Sequence, residues 1–97
     1  MATYVCLMNL TEQGIKDIKN APERIEQGIK GVEAMGGKVT SFYTVMGEYD
    51  YVAICEFPSD QVGMTFLLML GALGNVRTTT LKAFSKEEFA EMIEKLP

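Results

Sequence analysis

The residues in this chain best able to do chemistry are Tyr43, Tyr49, Asp50, Glu56 and Arg77. Gathered at one end of a sheet, such a tyrosine–carboxylate–arginine set can bind an acidic or hydroxylated small molecule, or pass a proton. Each member also has a structural use. Gly47 to Asp50 reads as a tight turn in which glycine supplies a positive φ and aspartate accepts backbone N–H groups. Tyr43 and Tyr49 can anchor a hairpin or an interface through their rings. Glu56 and Arg77 can pair with each other, across the sheet or between subunits. The structural roles are favoured, because polar clusters of this kind arise in ordinary ion pairs as well as in sites.

Other chemistries are narrowed by composition. With no histidine, histidine acid–base catalysis and His-containing metal sites are excluded. Zinc usually takes four Cys or His ligands, and Cys6 and Cys55 cannot supply them. Gly71 to Gly74 lacks the lysine and the strand-to-helix setting of a phosphate loop. No metal and no cofactor are therefore expected. Cys6 and Cys55 sit in neighbouring strands and are expected to face one inter-sheet space. A redox pair is conceivable there, but nothing nearby in sequence would lower a thiol pKa, so two inert buried thiols are expected.

Thirteen acidic against nine basic residues give a net charge of −4, and the lysines are scattered singly. That argues against nucleic acid, which calls for a basic stripe, and against a basic membrane anchor. The longest apolar stretch, Met64 to Gly74, is too short to cross a bilayer. The N-terminus lacks the basic and apolar regions of a signal peptide, so a cytoplasmic protein is expected. Ninety-seven residues fit one domain, residues 1–97.

These side chains must be positioned by a short list of elements. Residues 3–10 are rich in strand formers. Thr11 can cap a helical turn through Ile18, and Pro22 suits the first turn of a longer helix. Ile25, Ile29, Val32 and Met35 recur along that helix at helical spacing, with Glu23, Arg24 and Lys30 turned outward, until Gly36-Gly37 stops it. Residues 38–46 and 51–57 read as a hairpin about the Gly47–Asp50 turn. Ser59 or Asp60 can cap a helix over 61–73, residues 75–84 form a last strand, and Ser85-Lys86-Glu87-Glu88 opens a final helix with a capping box. The order β-α-β-β-α-β plus a helix predicts an α+β, ferredoxin-like antiparallel sheet with both main helices on one face.

The apolar surplus then predicts a homo-oligomer. Val5 and Leu7 oppose Tyr4, Cys6 and Met8; Val52 and Ile54 oppose Tyr51, Ala53, Cys55 and Phe57. Two helices cover one face only, and a second copy is the simplest cover for the other. The 61–73 helix is apolar nearly all round, as in a helix buried on every side. The alternative is that the C-terminal helix folds back over the open face.

Gly47-Glu48-Tyr49-Asp50 carries a Gly-x-Tyr-Asp signature. With Thr11 to Lys16, Pro22 and Arg24, Gly36-Gly37, Tyr43 to Gly47, Glu56 with Pro58, and Gly74 to Thr78, the chain over residues 1–85 closely resembles the GYD domain family. Ser59 departs from the acidic residue that relatives often carry before Asp60. The resemblance implies a dimeric α/β-barrel arrangement, in which two ferredoxin-like sheets face each other, and little about activity. A looser likeness extends to the effector-binding domains of Lrp/AsnC regulators, whose DNA-binding helices are absent here. The expected function is a non-enzymatic small-molecule-binding or assembly module. The alternatives are a cofactor-free monooxygenase- or isomerase-like enzyme of the dimeric α/β-barrel kind, or a stand-alone effector-binding domain.

Overall fold

A computed structural model describes residues 1–97. In chain order it contains β1 (Ala2–Leu10), α1 (Glu12–Lys16), a 3-10 turn (Ile18–Asn20), α2 (Ala21–Ala34), β2 (Lys38–Thr44), β3 (Tyr51–Phe57), α3 (Asp60–Ala72), β4 (Val76–Ala83) and α4 (Lys86–Glu94). The strands form one antiparallel sheet in the order β2-β3-β1-β4, the predicted ferredoxin-like plan.

Helix starts follow local chemistry. The Thr11, Ser59 and Ser85 side chains accept hydrogen bonds from Gly14, Val62 and Glu88 backbone N–H groups, satisfying donors that a helix N-terminus leaves free. At Ser85 the reciprocal bond from the backbone N–H to Glu88 completes the capping box. Gly36 and Gly47 adopt φ of 81° and 115°, which end α2 and turn the β2–β3 hairpin at no side-chain cost.

β1 and β3 alternate strictly. Tyr4, Cys6, Met8, Tyr51, Ala53, Cys55 and Phe57 are buried beneath α2 and α3, while Val5, Leu7, Val52 and Ile54 lie half-buried on the other face. Phe57, 1% exposed, is the keystone, with Phe66 and Tyr4 rings 5.6 and 5.8 Å from its own. β2 is less regular: its register slips between Val39 and Ser41. This bulge lets Val39 and Phe42, three residues apart, both pack on the core, and it explains why that stretch alternates imperfectly.

Helix α3 is apolar all round, yet within one chain only Gly63 is fully buried; Met64, Leu68 and Met69, with Leu73 at its C-terminal end, are 57–67% exposed. The alternative cover for the sheet is corrected. Helix α4 does not fold back over the sheet. Every residue from Phe84 onward is exposed, and Phe89, Met92, Ile93 and Leu96 form a bare apolar stripe. The radius of gyration, 14.8 Å, exceeds the roughly 12.5 Å of a closely folded domain of this length, as a projecting helix requires.

Gly14 locks α1 against the entry to β4. A Cβ there would meet the Asn75 carbonyl oxygen at 2.2 Å, and the same junction holds the Thr11 N–H to Asn75 O bond of 3.0 Å. Gly14→Ala is expected to cost about 1–3 kcal/mol in urea unfolding, because backbone has to move.

Candidate functional site

The register places one row of side chains on the uncovered sheet face. Val5 sits between Ile54 and Leu81, and Leu7 between Val52 and Thr79; Tyr43 extends the second row across Val52. Leu81 and Tyr43 are 50% and 64% exposed. Beyond this apolar centre lie Asn9 opposite Arg77 at one end, and Thr3, Glu56 and Lys38 at the other. An apolar middle within a polar rim is the anatomy of a protein interface.

Four of the five sequence-predicted residues share one end of the sheet. Asp50 is part of the scaffold: its Oδ2 accepts the Leu10 N–H at 2.8 Å, while its own N–H and carbonyl join Met8 and Val45. Half-buried Tyr49 precedes it, and exposed Tyr43 and Arg77 stand at the rim. Glu56 does not join them. It pairs with Thr3 in β1 whereas Arg77 pairs with Asn9, so six residues of strand, about 20 Å, separate the two. A Glu56–Arg77 pair within one copy is ruled out by that separation.

The helix-covered side carries polar groups that the sequence reading missed. The Tyr4 hydroxyl donates to Asp60, and Lys82 Nζ donates to the other Asp60 oxygen at 2.9 Å. Burial, then the hydrogen bond and charge of Asp60, push the Tyr4 pKa up to about 12. The bonds from Tyr4 and Lys82 hold the exposed Asp60 carboxyl below its ordinary value. These residues are far apart in sequence, and only the β1–β4 register, with Tyr4 opposite Lys82, unites them.

That depressed carboxyl gives a pH prediction. A carboxyl with a lowered folded pKa stabilises the fold above the ordinary aspartate value of about 3.9, and its contribution disappears as pH falls through the folded value. Between about pH 4 and pH 2, Asp60→Asn is therefore expected to lose less stability than the parent. Urea midpoints across that range check it.

The cysteines also depart from expectation. Both point into the helix-covered core, not toward an inter-sheet space. Cys6 does have neighbours that matter. The neighbouring Cys55 thiol outweighs burial and draws the Cys6 thiol below its ordinary value, while the Thr80 hydroxyl is buried without a hydrogen-bond partner. Cys55 is pushed well above the ordinary thiol range by the neighbouring Cys6 thiol, by burial and by the charge on Cys6. No cluster of three or more Cys, His, Asp or Glu side chains is placed to hold a metal ion, and no helix is long and apolar enough to cross a membrane.

Comparison with known proteins bears on these surfaces. The glutamine synthetase and cystathionine beta-lyase binding protein of Thermus thermophilus is 33% identical over 84 residues, covering 86% of this chain and 88% of that one. Among solved structures, a feast or famine regulatory protein from M. tuberculosis, complexed with L-methionine, superposes with a TM-score of 0.66 at 22% identity. The match covers 89% of this chain but 52% of the regulator, so the chain spans about half the length of that protein. A hypothetical protein of Pyrococcus horikoshii matches over 89% of this chain and 93% of its own, with TM-score 0.61 and 23% identity. These likenesses confirm the ferredoxin-like fold. The GYD domain model matches residues 4–93, nearly the whole chain and including the Gly47–Asp50 turn, and so the chain belongs to the GYD domain family.

Proposed function

We propose that this chain is a non-enzymatic assembly module, which pairs with a second copy through its open sheet face and binds a further partner in that form. The observation that carries the reading is the row Val5, Leu7, Val52, Ile54 and Leu81, which no element of the same chain covers. Contiguous apolar surface ringed by polar residues marks interaction sites in otherwise well-behaved proteins. The related Thermus chain is named for binding two enzymes, and a partner-binding role for this chain accords with that.

Tyr43 and Arg77 stand at the edge of the paired sheets, where residues of both copies would meet. They, with Tyr49 and Asp50 behind them, are the residues assigned to contact with a partner or small ligand. Tyrosine and arginine are the types that most often dominate binding energy. Glu56 of one copy can reach Arg77 only if the copies pair head to tail along the strands.

Native mass spectrometry of the purified chain tests the assignment. A dimer or a larger closed assembly at micromolar concentration is the expected result. A monomer there, with the sheet face open to water, would sink it. A stand-alone effector-binding domain is the second reading, favoured by the fold shared with the regulator solved with L-methionine; a small molecule retained in the same spectrum, and lost in Arg77→Ala, distinguishes it.

A further inference from the structure

Between α2 and α3, on the sheet side opposite the open face, lies a cavity of about 580 Å³. That is within the range of small-molecule sites, ~300–1,000 Å³, and well above the voids left by imperfect packing. Of its 22 lining residues 17 are hydrophobic, so water has few partners inside. The gap has a local origin. Gly28 and Gly31, one helical turn apart on α2, face it without side chains, and a Cβ built on Gly28 would meet nothing within 4 Å. At Gly31 the Phe66 ring of α3 comes close, where a Cβ would stand 3.2 Å from it, whereas at Gly28 the space is left open.

The walls are not uniform. Val32, Val39, Cys55 and Phe66 make the inner part wholly apolar. Toward the C-terminal end of β1 the lining includes Arg24, Tyr51 and Asn75. Tyr51 is more than nine-tenths buried as a residue, and its hydroxyl, which makes no hydrogen bond within the chain, is left free to donate to a molecule in the cavity it lines. Arg24 does not project outward, as its place on the helix predicted. It folds back to donate to Asp17 O at 2.8 Å, Asp17 Oδ2 at 3.0 Å and Gly14 O at 3.1 Å. Three of the five guanidinium donors are thereby used, and the group is fixed at the cavity rim beside Gly14, which itself abuts Asn75.

We propose that the α2–α3 cavity binds an amphiphile with an aliphatic or aromatic body and a carboxylate head, the body lying between the helices and the head at Arg24, Tyr51 and Asn75. The carboxylate shares Arg24 with Asp17 and takes the hydroxyl of Tyr51, while the body replaces empty space against apolar walls. This site is separate from the sheet-pairing surface, so either can fail without the other.

Isothermal titration calorimetry with decanoate, against decan-1-ol as the uncharged control, tests the proposal on the intact chain. Saturable binding of decanoate is expected, with the alcohol about tenfold weaker because it lacks the charge-assisted bond. Gly28→Leu fills the cavity where a side chain has room. It is expected to abolish binding while leaving the melting temperature equal or higher, since glycine is a poor helix former. Tyr51→Phe, which keeps the ring and removes the hydroxyl, is expected to weaken decanoate but not the alcohol. The proposal is overturned if decanoate shows no saturable binding at millimolar concentration, if the alcohol binds as tightly, or if a folded Gly28→Leu chain binds as the parent does.

Discussion

Val5→Glu is expected to leave the chain a folded monomer under conditions where the parent is proposed to pair with a second copy. Val5 lies in the middle of the open face, with Ile54 on one side and Leu81 on the other. Its side chain contributes nothing to the core beneath α2 and α3, which is built from the alternate residues Tyr4, Cys6 and Met8. A carboxylate there is harmless in water but must be stripped of water when a second sheet closes over it. Symmetry doubles the effect, because each copy brings the same charge. At about 2 kcal/mol or more for each buried unpaired charge, the pair weakens association about a thousandfold. Light scattering across a dilution series, with far-ultraviolet circular dichroism as the folding control, reads the result. Ile93→Glu on α4 serves as a comparison, since it alters a different exposed stripe. Should Val5→Glu remain as large as the parent, the sheet face is not the interface.

The largest loss of stability is expected from Phe57→Ala. Phe57 is the most buried large side chain and holds together elements that are otherwise distant: Tyr4 of β1 and Phe66 of α3 both pack on its ring. Gly63 also lies against it, where a Cβ would stand 3.2 Å from the ring. Removing a buried phenyl ring typically costs about 3–5 kcal/mol through lost transfer energy and an unfilled void. A domain of this length has only about 5–15 kcal/mol in total, so the variant is expected to unfold at much lower urea or to be partly unfolded without it. Phe57→Leu, which refills much of the volume, is expected to recover most of the loss. An unchanged urea midpoint for Phe57→Ala would mean that α3 is not held to the sheet in this way.

Local features were legible in the sequence wherever the physics is local. Thr11, Ser59 and Ser85 cap helices because a hydroxyl reaches an N–H three residues away. Gly36 and Gly47 take positive φ because the turn demands it at that residue. The split of β1 and β3 into two apolar faces follows from a period of two and needs no partner to be seen. What escaped was set by register and by distance through space. Tyr4, Asp60 and Lys82 form a chain only because β1 and β4 pair with Tyr4 opposite Lys82. Glu56 and Arg77 looked like a pair because both lie near strand ends, but antiparallel pairing puts them at opposite ends. The choice of which face α2 and α3 cover sent Cys6 and Cys55 into the core, and no residue near either thiol in sequence announces it. Helical position alone turns the Arg24 side chain outward, whereas Asp17 and Gly14 draw it back.

Helix α4 has nine residues, below the roughly 12–15 at which a lone helix holds its shape in water, and its turns lean on nothing else in the chain. Its amide protons should therefore trade with deuterium quickly in dilute solution and slow down once another surface shields the Phe89–Ile93 ridge. The last dozen residues thus act as a built-in gauge of occupancy, readable peptide by peptide in a mass spectrometer.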